Sequence, residues 1–151
     1  IKFNKNHIYS PANGKILKIV ETDKYYLITI FLNLHNVHIQ YIPYDGIITN
    51  IEHIPGKYYL ANSDRASNNE KMITTIKTDI GYIYVIQIAG KLVRRIVNFN
   101  NINDTVKVGD KLGMIKFGSR VDIQLPKNKV KLLVKKNHII HGGVTKIATI
   151  I

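Results

Sequence analysis

The sequence predicts a mainly β chain, a pseudo-symmetric barrel-sandwich of many short strands with little helix. Three observations lead there. Turn-forming residues recur about every 8–15 positions, and the runs between them are rich in Val, Ile, Tyr and Thr, which suit a pleated, half-buried surface. Several of those runs alternate apolar and polar residues, and none sustains the i, i+3, i+4, i+7 stripe of an amphipathic helix. The third is a faint internal repeat. Ser10-Pro11-Ala12-Asn13-Gly14-Lys15-Ile16-Leu17 parallels Ile42-Pro43-Tyr44-Asp45-Gly46-Ile47-Ile48-Thr49, each a Pro-x-x-Gly turn that opens a strand.

Taken in order, strands are expected at 15–21, after the Asn13-Gly14 turn, and at 25–31, a run of aromatic and β-branched residues. Another follows Asp45-Gly46 at 46–51, then 72–77, 82–88 and 93–97. The last group is 111–117, 121–125, 130–134 and 144–151. Residues 61–70 are polar without alternation and read as an ordered segment that is not a strand. A second echo relates Val106-Lys107-Val108-Gly109-Asp110-Lys111-Leu112-Gly113 to the stretch from Leu133 to Val144, each a turn, a short strand and a glycine turn. Such repeats also suit carrier domains, but no Met-Lys-Met or Asp-Lys-Ala carrier motif is present.

At 151 residues and 45% hydrophobic content, residues 1–151 read as a single domain with a real core. The absence of cysteine excludes disulfides and thiolate chemistry. No apolar run approaches the roughly 20 residues that span a bilayer. The chain opens on Ile1 with no signal-peptide pattern, which reads as a fragment, so that any N-terminal anchor would lie outside it. A net charge of +12, largely from lysine, suits either an anionic partner (nucleic acid, an acidic membrane surface or a phosphate-bearing substrate) or plain solubility charge, and lysine favours the membrane or phosphate over base reading. Lys127, Lys129, Lys131, Lys135 and Lys136 surround apolar Val130, Leu132, Leu133 and Val134, a pattern of either a membrane-facing patch or an edge strand guarded by lysines. Nine Tyr and four Phe would permit base stacking, but no RNA-recognition aromatic motif accompanies them, so nucleic acid is not expected as a partner.

The chemistry centres on Lys116-Phe117-Gly118-Ser119-Arg120-Val121-Asp122, where a Gly-Ser bond separates an apolar run from an alternating one. The Ser119 hydroxyl can attack the Gly118 carbonyl in a bent backbone, giving an N→O acyl shift and then elimination to a pyruvoyl end; taken alone, the dipeptide is also an ordinary turn. His38 lies in an alternating run and suits either a structural histidine or a base. His35 and His38 lack the further ligands of a zinc site, and no metal is expected. Asn13 reads locally as a plain Asn-Gly turn, and Asn68-Asn69-Glu70 as a polar loop.

Taken together, these segments resemble the phosphatidylserine decarboxylase family, in its short form. Ser10-Pro11-Ala12-Asn13-Gly14 resembles the family's Ser-Pro-Ala-Asp-Gly turn, and Asn36-Val37-His38-Ile39-Gln40-Tyr41-Ile42-Pro43 its His-Val-Asn-Arg-x-Pro stretch. Asn69-Glu70 matches its Asn-Glu, and Gln87-Ile88-Ala89-Gly90 with Arg94-Arg95 its Gln-Ile-Ala-Gly segment. The block from Val108 to Asp122 resembles its cleavage site almost residue for residue. The resemblance implies a proenzyme that cuts itself at Gly118-Ser119 into a β chain 1–118 and an α chain 119–151, with a pyruvoyl cofactor derived from Ser119. It implies His38 as base and proton relay, an orienting residue at Asn13, and decarboxylation of a serine phospholipid to phosphatidylethanolamine. It further implies substrate contacts from His35, Phe117 and Arg120, peripheral membrane attachment and a homodimer. One departure stands out. The triad aspartate is Asn13 here, which suits a trapped proenzyme, a slow enzyme, or a replacement carboxylate such as Asp45. The rival function is an uncleaved relative that binds acidic phospholipid.

Overall fold

The computed structural model describes residues 2–32, 39–91, 95–115 and 118–151. Its strands are β1 His7–Tyr9, β2 Gly14–Glu21, β3 Tyr25–Phe31, β4 Ile39–Tyr41, β5 Gly46–Ile54, β6 Lys71–Thr78 and β7 Gly81–Ile88. They continue as β8 Ile96–Asn98, β9 Thr105–Val106, β10 Lys111–Ile115, β11 Arg120–Pro126, β12 Val130–Leu132, β13 Ile139–Ile140 and β14 Lys146–Ile150. The helical content among the described residues is two 3₁₀ turns, Asp64–Asn68 and Lys127–Lys129. The fold is thus mainly β, and the segment expected at 61–70 contains the first of those turns. The sequence pattern missed β1, β4, β9 and β13, which are two or three residues long and too short to show alternation.

Eight strands form one antiparallel sheet in the order β13-β2-β3-β11-β7-β6-β5-β9. This order mirrors itself about the β11–β7 pair: β13 pairs with β2 as Ile139↔Lys15 and Ile140↔Gly14, and β9 pairs with β5 as Thr105↔Ile47 and Val106↔Gly46. β2 carries a register shift between Ile16 and Lys18, and β5 carries one between Ile48 and Asn50, at the same offset from Gly14 and Gly46. The Pro-x-x-Gly repeat is therefore a pseudo-two-fold of the sheet. Two three-stranded sheets, β1-β14-β12 and β4-β10-β8, complete the architecture. Ile16, Ile28, Ile30, Ile76, Ile83, Val85, Val121 and Ile123 are fully buried and line a common core. Each such side chain contributes about 1.5–3 kcal/mol on leaving water.

One turn recurs. In Asn101–Asp104, Lys107–Asp110 and Lys135–His138 the third residue has positive φ (Asn103 77°, Gly109 87°, Asn137 75°), as a type II turn requires. Each runs into a bulge in which the third residue donates to, and the fourth accepts from, one buried isoleucine: Ile48, Ile42 and Ile16. The fourth side chain also accepts from the first residue's N–H, through Asp104 Oδ2 at 2.8 Å, Asp110 Oδ2 at 2.9 Å and His138 Nδ1 at 3.2 Å. The sequence echo that set Lys107–Asp110 beside Lys135–His138 holds as turn chemistry. The topological equivalent of Lys135–His138 is instead Asn101–Asp104, because those two turns feed β13 and β9. β12 is an edge strand with Val130 buried and Lys131 exposed, as alternation predicts.

Candidate active site

The Gly118–Ser119 bond lies just before β11 and repeats that bulge. Gly118 has φ 77°, its N–H donates to the Leu32 carbonyl at 2.6 Å, and the Ser119 carbonyl accepts from Leu32 N–H at 3.0 Å. Leu32, like Ile16, Ile42 and Ile48, is fully buried. Ser119, itself fully buried, thus occupies the position held elsewhere by Asp104, Asp110 and His138. A Cβ at Gly118 would meet nothing within 4 Å, so glycine is needed there for its φ and not for room. Gly118→Asn should therefore fold normally, since asparagine fills this position in two sister turns. Gly118→Val should cost about 1–2 kcal/mol and lower the melting temperature by a few degrees, because a branched side chain resists positive φ. Thermal unfolding of the two variants side by side checks this.

The Gly118 carbonyl rests on Gly90. A Cβ added to Gly90 would lie 1.9 Å from the Gly118 oxygen. Gly90 is placed by Ala89, whose N–H donates to the Glu70 carbonyl at 2.9 Å and whose carbonyl accepts from Asn69 Nδ2 at 2.7 Å. Asn69 is fully buried and also grips Tyr59 on both sides, donating to its carbonyl at 2.8 Å and accepting from its N–H at 2.8 Å. The Glu70 carboxylate accepts from the Tyr58 hydroxyl at 2.7 Å and stands 3.3 Å from His53 Nε2. The Tyr58 bond holds its pKa below the ordinary value, burial opposes, and His53 adds a smaller lowering. Asn69 and the partly buried Glu70 thus form a tie behind the Gly118–Ser119 bond, which a polar loop reading did not anticipate. Gly90 carried no assigned role in the sequence, although it closes the Gln87-Ile88-Ala89-Gly90 segment that the family resemblance singled out.

Arg120 is paired within its own strand. Its Nε and Nη2 each bond Asp122 at 2.8 Å, with both residues buried, on the face of β11 opposite core residues Val121 and Ile123. Arg120 also lines a cleft of about 390 Å³ with Lys15, Lys18 and Lys136. Nearby Lys71 has its pKa lowered, first by burial and then by Arg120, with Asp122 opposing.

Asn13 stands in the turn before β2, and its Oδ1 accepts from the Gly142 N–H. Asp45, in the equivalent turn, accepts from the Val108 N–H at 2.8 Å. His35, His38 and Phe117 lie outside the described residues. Of the described residues on either side of the histidine segment, Leu32 bonds to the bulge and Ile39 lies opposite Met114 in β10. Buried Gln87 donates to Gln40 Oε1 at 2.9 Å and to the Val97 carbonyl at 3.2 Å, tying β4, β7 and β8 together.

A family model described as phosphatidylserine decarboxylase matches residues 1–148. The chain is 37% identical over 141 residues to a putative archaetidylserine decarboxylase proenzyme of Methanococcoides burtonii, covering 93% of this chain and 65% of that one. It is 38% identical over 151 residues to the phosphatidylserine decarboxylase proenzyme of Syntrophus aciditrophicus (94% and 70%). With that of Wolbachia pipientis wMel it shares 41% over 160 residues (97% and 69%). The chain thus spans about two thirds of the length of these relatives. A family model matched over nearly the whole chain, together with proenzyme relatives at this identity, makes the chain a member of the phosphatidylserine decarboxylase family.

Proposed function

We propose that this chain, one domain over residues 1–151, cleaves itself at Gly118–Ser119 and decarboxylates a phospholipid with a serine headgroup. The observation that carries this reading is the bulge: a buried serine follows a glycine at φ 77°, and the carbonyl between them is pressed against Gly90. Ser119 Oγ gives its proton to His38 and attacks the Gly118 carbonyl carbon. The Gly118–Ser119 C–N bond breaks, the nitrogen takes a proton, and an ester joins Gly118 to the serine oxygen. Loss of the Ser119 Cα proton then expels the Gly118 carboxylate by breaking the Cβ–O bond. The dehydroalanine left at the new N-terminus tautomerises, takes up water and loses ammonia to become the pyruvoyl group. That group supplies an electron sink for loss of CO₂ from the headgroup. The geometry fits its formation in that Ser119, which would begin the α chain, sits at a strand end where a new N-terminus can separate from Gly118. His38, as the base of the first step, is also the group to return a proton to the decarboxylated carbon. Asn13 is the orienting residue in this scheme.

The net charge of +12 supports an anionic membrane surface as partner. Among the described residues no helix is long and apolar enough to cross a membrane. Intact mass under denaturing conditions tests the proposal. Two fragments, 1–118 and a pyruvoyl-blocked 119–151, are expected, and Ser119→Ala should remain one species of 17.2 kDa. A wild-type chain that stays whole on long incubation, yet binds acidic liposomes, would favour the second reading, which Asn13 motivates: an uncleaved lipid-binding relative.

A further inference from the structure

We infer that the loop tip Tyr58-Tyr59-Leu60, ringed by Lys57, Arg65 and Lys91, is the part of this chain that docks on an anionic phospholipid bilayer. The inference rests on the proposed lipid substrate. Such a headgroup cannot travel far from the bilayer, because withdrawing its acyl chains costs about 0.8 kcal/mol per CH₂. The reaction centre must therefore come to the membrane, and the surface that touches lipid must lie beside Ser119.

This tip lies there. Asn69 holds both backbone groups of Tyr59 and the carbonyl of Ala89, so one buried amide joins the tip to Gly90 and, through it, to the Gly118 carbonyl. Lys91, next to Gly90, lines one hollow with Tyr58, Tyr59, Leu60, Ser63 and Arg65. Leu60 is 57% exposed, an apolar side chain held in water on a clamped backbone. The Arg65 guanidinium lies 5.7 Å from the Tyr59 ring centroid, a pairing of cation and aromatic face that suits the headgroup layer. The charge is complementary: Lys57, Arg65 and Lys91 stand against Asp64, while the Glu70 carboxylate is already engaged by Tyr58 and His53. On its other side, 61–64 walls the cleft of Lys15, Lys18, Arg120 and Lys136, which extends the positive surface. Apolar insertion and several lysines are two independent attachment signals, which stable docking requires. Lys131 of edge strand β12 is by contrast in a separate sheet, with Lys129 in the turn just before it.

Sedimentation with vesicles of equal parts phosphatidylserine and phosphatidylcholine tests the assignment. Leu60→Glu should lower partitioning roughly tenfold or more, as loss of a buried leucine and gain of an anion imply. Lys91→Glu should weaken binding and flatten its salt dependence. Both variants should cleave at Gly118–Ser119 as the wild type does, and Leu60→Glu should retain decarboxylation of a short-chain phosphatidylserine dispersed below its micelle threshold. Wild-type binding by Leu60→Glu overturns the inference, as does loss of binding only in the Lys129→Glu, Lys131→Glu double variant. If nothing is cleaved or decarboxylated but Leu60→Glu still abolishes vesicle binding, the docking surface stands and the enzymatic reading falls.

Discussion

Replacing Asn13 with aspartate should accelerate chain cleavage at Gly118–Ser119 by up to about 10⁴-fold, the factor by which an Asp→Asn change slows a serine-histidine-aspartate triad of intact geometry. The reason is electrostatic. In the proposed scheme Ser119 gives its proton to His38, and the resulting imidazolium is stabilised by the charge of a carboxylate but not by an amide. An asparagine can also turn its NH₂ toward the ring and favour the wrong tautomer. The substitution asks little of the fold, since the Asn13 oxygen accepts from the Gly142 N–H and a carboxylate oxygen can accept the same bond. Cleavage half-time, followed by intact mass after rapid purification at several pH values, is the measurement. A steeper and faster profile for Asn13→Asp would place residue 13 in the proton relay. Equal rates would shift that role elsewhere, Asp45 being the replacement carboxylate to test next, with one oxygen on the Val108 N–H as Asn13 has its own on Gly142.

The second large effect is expected at Gly90. Alanine there would put a methyl carbon 1.9 Å from the Gly118 oxygen, a backbone atom that no rotamer change can move. The bulge must then separate from the end of β7, and the carbonyl leaves its position relative to Ser119. A misplacement of about 1 Å is enough to cost some 10²-fold in rate, so Gly90→Ala should cleave at least that much more slowly. The sheet behind it, held by the seven-residue β3–β11 ladder, should persist. Circular dichroism and thermal unfolding alongside the cleavage assay separate the two effects. Normal cleavage in Gly90→Ala would mean that the Gly118 carbonyl leaves Gly90 before it is attacked.

Much of this protein was legible in one dimension. The long strands β2, β3, β5, β6, β7 and β11 follow from β-branched and aromatic runs between turns, because period-two burial needs only local alternation. The Pro-x-x-Gly pair at Pro11 and Pro43 foretold the pseudo-two-fold, since each turn starts an equivalent strand. The ordered motifs around Ser119 sufficed for the family. Other features were not legible, for a physical reason. Whether Asn69 is a loop residue or a buried clamp depends on three bonds to residues 10 and 20 positions away. The direction of Arg120 depends on Asp122 beside it and on which face of β11 the core occupies. The need for glycine at position 90 exists only because another strand's carbonyl arrives there. Strands, turn chemistry and the Gly118-Ser119 dipeptide are properties of neighbours along the chain, and so could be read from it. What supports the Gly118 carbonyl, and which exposed residues stand beside it, is set by non-local packing and became visible only in three dimensions.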